Sequence, residues 1–463
     1  MGATGTNHAI NACSTADAIG ANRAFLKTVL AIAVPVALQC MLQSSFSIID
    51  QIMIGQLGSV SIAAVGLAGK FSSIYQVVVS AIAAVAGIMI AQYMGKQEKE
   101  QVDKSLSVNL AAALLLALAF TAACLGMPET IMGIYTEDAA MCAVAASYLR
   151  LTAFTFLPMA GAILLSTMLR CMEKAALPLY ASIAAAVINT GLNYVLIFGR
   201  PGFAPMGVEG AAIATVMAQL ANFLLILVAF IISYRKEGNS FHLSLRLGAD
   251  GYRQYLWMLL PILVTEFMWS LGENVYASIY GHMGTIACAA MTLTNPIQGL
   301  MIGALSGLSQ AAGILIGKSL GRKDYDEAYA NSKRLIWYGL CGAILLSVLL
   351  MSTKSFYVNI YAVEDITRSI AGDILLAFAL VTPIKVLNMI LGGGIVRSGG
   401  RTKLIMWIDL MGTWIFGVPL GYLAAFVLNL PIPYVYFILS LEEAIRLLVT
   451  VVVFRKRIWM QSL

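Results

Sequence analysis

The sequence predicts an all-α polytopic membrane protein, with twelve transmembrane helices in two parallel-repeat six-helix bundles. Three observations carry that prediction. Of 463 residues, 60% are hydrophobic and 11% charged, with a mean hydropathy of +0.85. A soluble chain carries roughly 25% charged residues, so this one cannot cover a water-facing surface. The apolar runs are about 20 residues or longer, the length an α-helix needs to cross hydrocarbon; barrel strands would read as ~10-residue alternations. Finally, the chain repeats itself at a separation of 226 residues, Pro35 to Pro261.

The spans read as 25–54, 66–94, 105–127, 140–169, 175–198, 208–234, 253–281, 287–317, 332–352, 369–396, 403–427 and 434–454. What remains is short loops, none long enough for a soluble domain. The opening MGATGTNHAINACSTADAIG has no basic start followed by an apolar core, so no signal peptide is expected. The seven cysteines lie mostly inside predicted helices and lack metal spacing; they read as small core residues. With the N-terminus inside, the inner segments hold 22 Lys and Arg and the outer loops only Arg200, Lys354 and Arg368. Cytoplasmic loops collect these cations, so a cell-membrane, multi-pass chain with both termini cytoplasmic is expected. The net charge of +6 is then a topology signal and implies no nucleic-acid partner.

The repeat sets the domain organisation. At the same 226-residue separation Gly55 matches Gly281, Gly58 matches Gly284, Gly87-Ile88 match Gly313-Ile314, and Gly95 matches Gly321, so GIMIAQYMG returns as GILIGKSLG. One inserted residue later, Arg170 matches Arg397. Each copy holds six spans, an even number, so the two copies share one orientation and are related by an axis along the membrane normal. The expected units are an N-terminal bundle over 1–234, a cytoplasmic linker loop over 235–252 and a C-terminal bundle over 253–463, with the substrate route in the cleft. Pro35 and Pro261 sit mid-span in the first helix of each copy. Each removes a backbone bond to the residue four earlier, Ala31 or Trp257, and is expected to bend its helix as the cleft opens.

Charges inside the spans need a reason, because a carboxylate at mid-bilayer costs about 2.5–3.5 kcal/mol on insertion scales. Asp50 ends the first span on a row with Gln43, Ser44 and Ser47, a polar face expected to line a cavity. Partly desolvated there, with no Lys or Arg nearby in sequence, it suits a proton near neutral pH or a Na⁺ held with neighbouring oxygens. Glu266 and Glu273 are seven apart, about 20° short of two turns, and are expected to share a face suited to an organic cation or a second ion. Glu442 and Arg446, at i and i+4, read as an intrahelical pair. Lys385, about three turns from the end of its span, is a further candidate; Arg150 reads as structural.

Taken together, the twelve spans, the duplication, the acidic first helix ending D-x-x-x-x-G-x-L-G, NTGLNYVLIFG followed by GVEGAAIAT, and R-S-G-G-R-T after span ten make the chain resemble a MATE (multidrug and toxic compound extrusion) transporter of prokaryotic type. The resemblance covers nearly the whole chain. It implies a V-shaped pair of bundles and a secondary active antiporter exporting organic, cationic compounds in exchange for H⁺ or Na⁺. It places the ion site at Asp50 with Asn189, Asn193 and Thr215, and a further substrate or ion site at Glu266 or Glu273. Some members carry Asp where Asn193 stands, and some an Asp in helix ten near Lys385. Lys385 is expected instead to hold Glu266 or Glu273. The expectation is a non-enzyme with no cofactor beyond the coupling ion, working as a monomer on a small organic substrate within the lipid bilayer. A flippase for a lipid-linked precursor, from the same superfamily, is the alternative.

Overall fold

The computed structural model describes residues 4–199, 202, 204–238, 241–245, 249–359 and 363–463. Among the described residues twelve long helices follow one another: α1 (Thr4–Gly55), α2 (Ser59–Lys96), α3 (Lys99–Gly126), α4 (Ala139–Cys171), α5 (Ala176–Phe198), α6 (Gly207–Lys236), α7 (Ala249–His282), α8 (Thr285–Gly321), α9 (Tyr325–Asn359), α10 (Asp365–Val396), α11 (Thr402–Val427) and α12 (Ile432–Arg455). Eleven of them, among the described residues, are long and apolar enough to cross a membrane by composition alone. The exception is α12, where every 18-residue stretch contains Glu442, Glu443 and Arg446.

Most helices overrun their apolar runs. The 35 residues of α9, at 1.5 Å each, reach about 50 Å, well past a ~30 Å hydrocarbon core. Hydropathy reports the part in lipid, whereas the helix continues until a cap or a left-handed residue stops it, as Gln97 (φ 62°) stops α2. A short helix, Pro128–Gly133, fills the α3–α4 connection and was not legible as a span; its proline at the first position suits a helix start.

We call the end of the molecule bearing the α2–α3, α4–α5, α6–α7, α8–α9 and α10–α11 connections the basic end. There the two halves meet reciprocally. A Cβ on Gly95 would strike the backbone carbonyl of Lys318, and a Cβ on Gly321 would strike that of Gln92. Each contact is the other displaced by 226 residues, as a two-fold relation between the copies requires. Gly307 on α8 lies equally close to the Ala33 carbonyl of α1, and its counterpart is the packing of Ala81 on α2 near Leu259 on α7. Pro35 and Pro261 lie inside α1 and α7, within a turn of these contacts.

Polar bonds seal the same end. Gln92 donates to the carbonyls of Ser398 (2.7 Å) and Gln461 (3.3 Å) and accepts from the Leu463 amide (2.7 Å). Lys318 pairs with Glu173 at 2.6 Å. The largest apolar core runs through both halves here, with Ile32, Ala86, Ala312 and Ile395 in one cluster. At the opposite end the cores separate. One cluster belongs to α7–α12, around Tyr276, Phe378 and Leu439, and a small one to the first half, around Ile54, Ile197 and Ala211. The halves are therefore joined at the basic end and apart at the other. The stretch expected as a linker is tied to the first half, where the His242 amide donates to Asp103 (3.2 Å) and the Ser244 amide to the Ser107 hydroxyl (3.2 Å).

Candidate functional site

Three polar sites interrupt this apolar frame: one inside each half and one between them.

In the first half, α1 brings Asp50 against α5 and α6. The Asn193 amide donates to Asp50 Oδ1 at 2.7 Å and to Asn189 Oδ1 at 3.2 Å, and Asn189 reaches the Thr215 hydroxyl at 3.5 Å. All four expected residues thus form one cluster. Asn189 and Asn193 meet because i and i+4 share a helix face. Asn193 is 1% exposed, so its amide is available to Asp50 and not to water. Among the described residues no Lys or Arg lies within 4.0 Å of Asp50. The Asn189 amide also faces Asp50, 2.7 Å from Oδ1 and 3.2 Å from Oδ2. Gln43 and Asp50 line a cavity of about 230 Å³ together, as the shared face predicts; the Ser44 and Ser47 side chains lie outside the described residues. Tyr148 of α4, whose hydroxyl lies beside Thr215 and Asp50, completes the cluster and gave no sequence signal.

In the second half, Arg446 of α12 is the hub. It reaches Glu442 (3.2 Å), Glu443 (3.9 Å) and Asp409 of α11 (3.9 Å), and donates to the Thr413 hydroxyl. The i, i+4 pair is present, but it is one spoke of a larger network. The Tyr276 hydroxyl donates to Glu442 at 2.5 Å and the Asn388 amide to Glu443 at 2.8 Å. Glycines make the room. A Cβ on Gly412 would collide with the Arg446 side chain, and one on Gly417 with Glu442 and the Tyr276 hydroxyl. Lys385 pairs with Glu443 at 3.9 Å, not with Glu266 or Glu273. The expectation fails because α12 stands nearer than α7 to that face of α10. Glu273 and Lys385 do line the same cavity, of about 220 Å³. Arg150, outside this network, pairs with Glu129 at 2.8 Å near the α3–α4 connection.

Between the halves lies a cavity of about 490 Å³, lined by Arg170, Gln310, Glu266 and Arg397 among apolar residues such as Ile163 and Ile314. Here a second expectation is corrected. Glu266 pairs with Arg397 at 3.4 Å in this central cavity, whereas Glu273 opens into the cavity of the second half. Seven residues are about 10 Å along a helix, so a shared face does not mean a shared site. Arg170 and Arg397, read from sequence as loop cations, stand on the cavity wall. Their equivalence in the repeat was the signal that could have found them.

Removing the hub cation should be costly, because breaking a buried ion pair leaves its partners charged and uncompensated. Arg446→Met is expected to lower stability by about 3–5 kcal/mol. Adding Glu442→Gln should recover part of the loss, both read by thermal unfolding in detergent.

A duplicated helical membrane protein with charged groups inside each half and in a cavity between them has the plan of a solute transporter. The family model described as MatE matches residues 35–195 and again 261–423, and the chain belongs to that family of multidrug efflux transporters. Among its relatives, an uncharacterized transporter, YisQ of Bacillus subtilis, is 23% identical over 417 residues, covering 89% of this chain and 90% of that one. A probable multidrug resistance protein NorM of Agrobacterium fabrum is 25% identical over 419 residues, covering 87% and 88%. Two solved structures share the fold: a MATE in a bent conformation (TM-score 0.84, 17% identity, 94% and 95% covered) and VcmN, a MATE transporter of Vibrio cholerae (TM-score 0.86, 15% identity, 94% and 97% covered).

Proposed function

We propose that the chain is a secondary active antiporter of the cytoplasmic membrane, exporting organic compounds, cationic ones among them, in exchange for H⁺ or Na⁺. One observation carries the reading: a membrane carboxylate, Asp50, held by Asn193 with no cation within 4.0 Å among the described residues, beside a cavity. Such a group can change charge without breaking an ion pair.

With both termini cytoplasmic, the sealed basic end faces the cytoplasm and the conformation is open outward. Ion uptake at Asp50 then neutralises it, α1 bends at Pro35 and α7 at Pro261, and the halves rock so that the basic end opens. The protein acts as a monomer, its two bundles supplying both walls of the cleft. One ion per cycle suffices for a solute that carries no net charge, whereas a monocation leaving one-for-one cancels the voltage contribution and needs more than one ion or a steeper pH gradient. A hundredfold gradient needs about 2.7 kcal/mol; a proton entering down ~100 mV releases about 2.3 kcal/mol, and a one-unit pH gradient about 1.4 kcal/mol more. Relatives described as probable multidrug resistance proteins favour small-molecule export over the flipping of a lipid-linked precursor.

Proteoliposomes with Na⁺ and pH gradients imposed separately test the reading. One of the two is expected to drive efflux of a fluorescent organic cation; efflux indifferent to both would overturn it.

A further inference from the structure

The copies of the repeat differ at one position that sets the charge of the central cavity. Arg397 has Glu266 at 3.4 Å. Its counterpart Arg170 has, at the position 226 residues before Glu266, a cysteine, Cys40, in place of a carboxylate. Among the described residues the Arg170 guanidinium donates to two neutral oxygens, Gln310 Oε1 (2.7 Å) and Gln39 Oε1 (2.9 Å). Its Nε–H has no partner, and no carboxylate of the described residues lies within 4.0 Å. A guanidinium has five N–H donors, so more than half of its capacity is unused. Among the described residues, the charged ones lining the cavity are Arg170, Arg397 and Glu266, which gives their set a net charge of +1.

A desolvated cation without a counter-charge is costly, and arginine is the side chain whose planar fork fits a carboxylate. We propose that the central cavity binds organic solutes that carry a carboxylate, with Arg170 holding that group. Glu266 then accepts any ammonium on the same solute, and Ile163 and Ile314 pack its apolar body. The cavity, about 490 Å³, is of the size that takes drug-like molecules. Zwitterions, with both charges met, are the preferred cargo, ahead of simple monocations. This rests on the antiport reading only for the direction of transport, not for binding.

The test uses the full chain in phosphatidylcholine nanodiscs and a matched pair of probes. Nε-dansyl-lysine carries an ammonium and a carboxylate; dansylcadaverine is the same molecule without the carboxylate. Wild type is expected to bind dansyl-lysine about tenfold more tightly, the worth of one charge-assisted contact. Arg170→Gln should abolish that preference and Arg170→Lys keep part of it, while Glu266→Gln should weaken dansylcadaverine. Equal affinities in wild type overturn the proposal without reference to any variant. So does a preference that survives Arg170→Gln in a monodisperse preparation, or displacement of dansyl-lysine by phosphatidylglycerol in the disc, which would assign Arg170 to a lipid phosphate. The antiport reading fails separately. A carboxylate preference without gradient-driven flux sinks antiport alone; gradient-driven flux of dansylcadaverine with no carboxylate preference sinks this proposal alone.

Discussion

Asp50→Asn is expected to reduce gradient-driven export to background while the protein still folds. The substitution preserves shape and leaves an oxygen to accept from the Asn193 amide, now 2.7 Å from Asp50 Oδ1. It removes a charge that has no cationic partner to leave stranded, so the large penalty of breaking a buried ion pair does not arise. What it takes away is the capacity to exist in two charge states. Without that, neither H⁺ nor Na⁺ can be exchanged at this site, and the halves have no ion-dependent bias between their two arrangements. A smaller effect is expected of Asn193→Ala. One hydrogen bond to a charged group contributes about 1.5–3 kcal/mol, so the ion affinity should shift roughly 10-fold or more. Transport in proteoliposomes checks both, with elution profile and thermal unfolding confirming the fold. Export by Asp50→Asn at wild-type rate under an imposed gradient would remove Asp50 from the mechanism.

How far such a site can be read without coordinates depends on what the membrane penalises. Asp50 stands out because a charged group in lipid is costly; Asn189, Asn193 and Thr215 came only with the family resemblance, and the i, i+4 spacing of the two asparagines then explains why they meet. The duplication was equally legible, since matched glycines such as Gly95 and Gly321 are fixed by the contacts between halves. Partner choice was not legible. Lys385 goes to Glu443 and Glu266 to Arg397 because of how α7, α10 and α12 cross, which no spacing within one helix encodes. Helical arithmetic also fails locally. Met389–Val396 and Met411–Gly417 are π-helical, and each wider turn takes up an extra residue, so later side chains rotate by about 100° from an ideal α-helix. The Arg446 hub depends on the second of these stretches: Gly412 and Gly417 both lie in it and both stand where a side chain would displace the network. Tyr148 stayed hidden for a simpler reason: a tyrosine in an apolar helix is ordinary until a hydroxyl partner on another helix is seen.

Gly95→Ala and Gly321→Ala should each disable transport although neither residue touches a candidate ion or solute site. In both, the new Cβ would overlap a backbone carbonyl of the opposite half, Lys318 for Gly95 and Gln92 for Gly321. A carbonyl inside a helix cannot rotate out of the way, so the helices must move apart and the basic end cannot close as seen here. The bonds of Gln92 to Ser398 and of Lys318 to Glu173 lie in the same seam and would lengthen with it. The expected result is loss of most export activity together with increased labelling of a cysteine placed at Glu173. Thermal stability should fall as well, because the largest apolar core runs through both halves at this end. Gly372→Ala is the control. It lies inside α10, lines none of the three cavities, and its Cβ would meet nothing within 4 Å. That variant should transport normally. If all three alanines behaved alike, close approach at the basic end would not be what the repeated glycines provide; if only the first two failed, sealing that end would be a required step of the cycle and not merely a feature of one conformation.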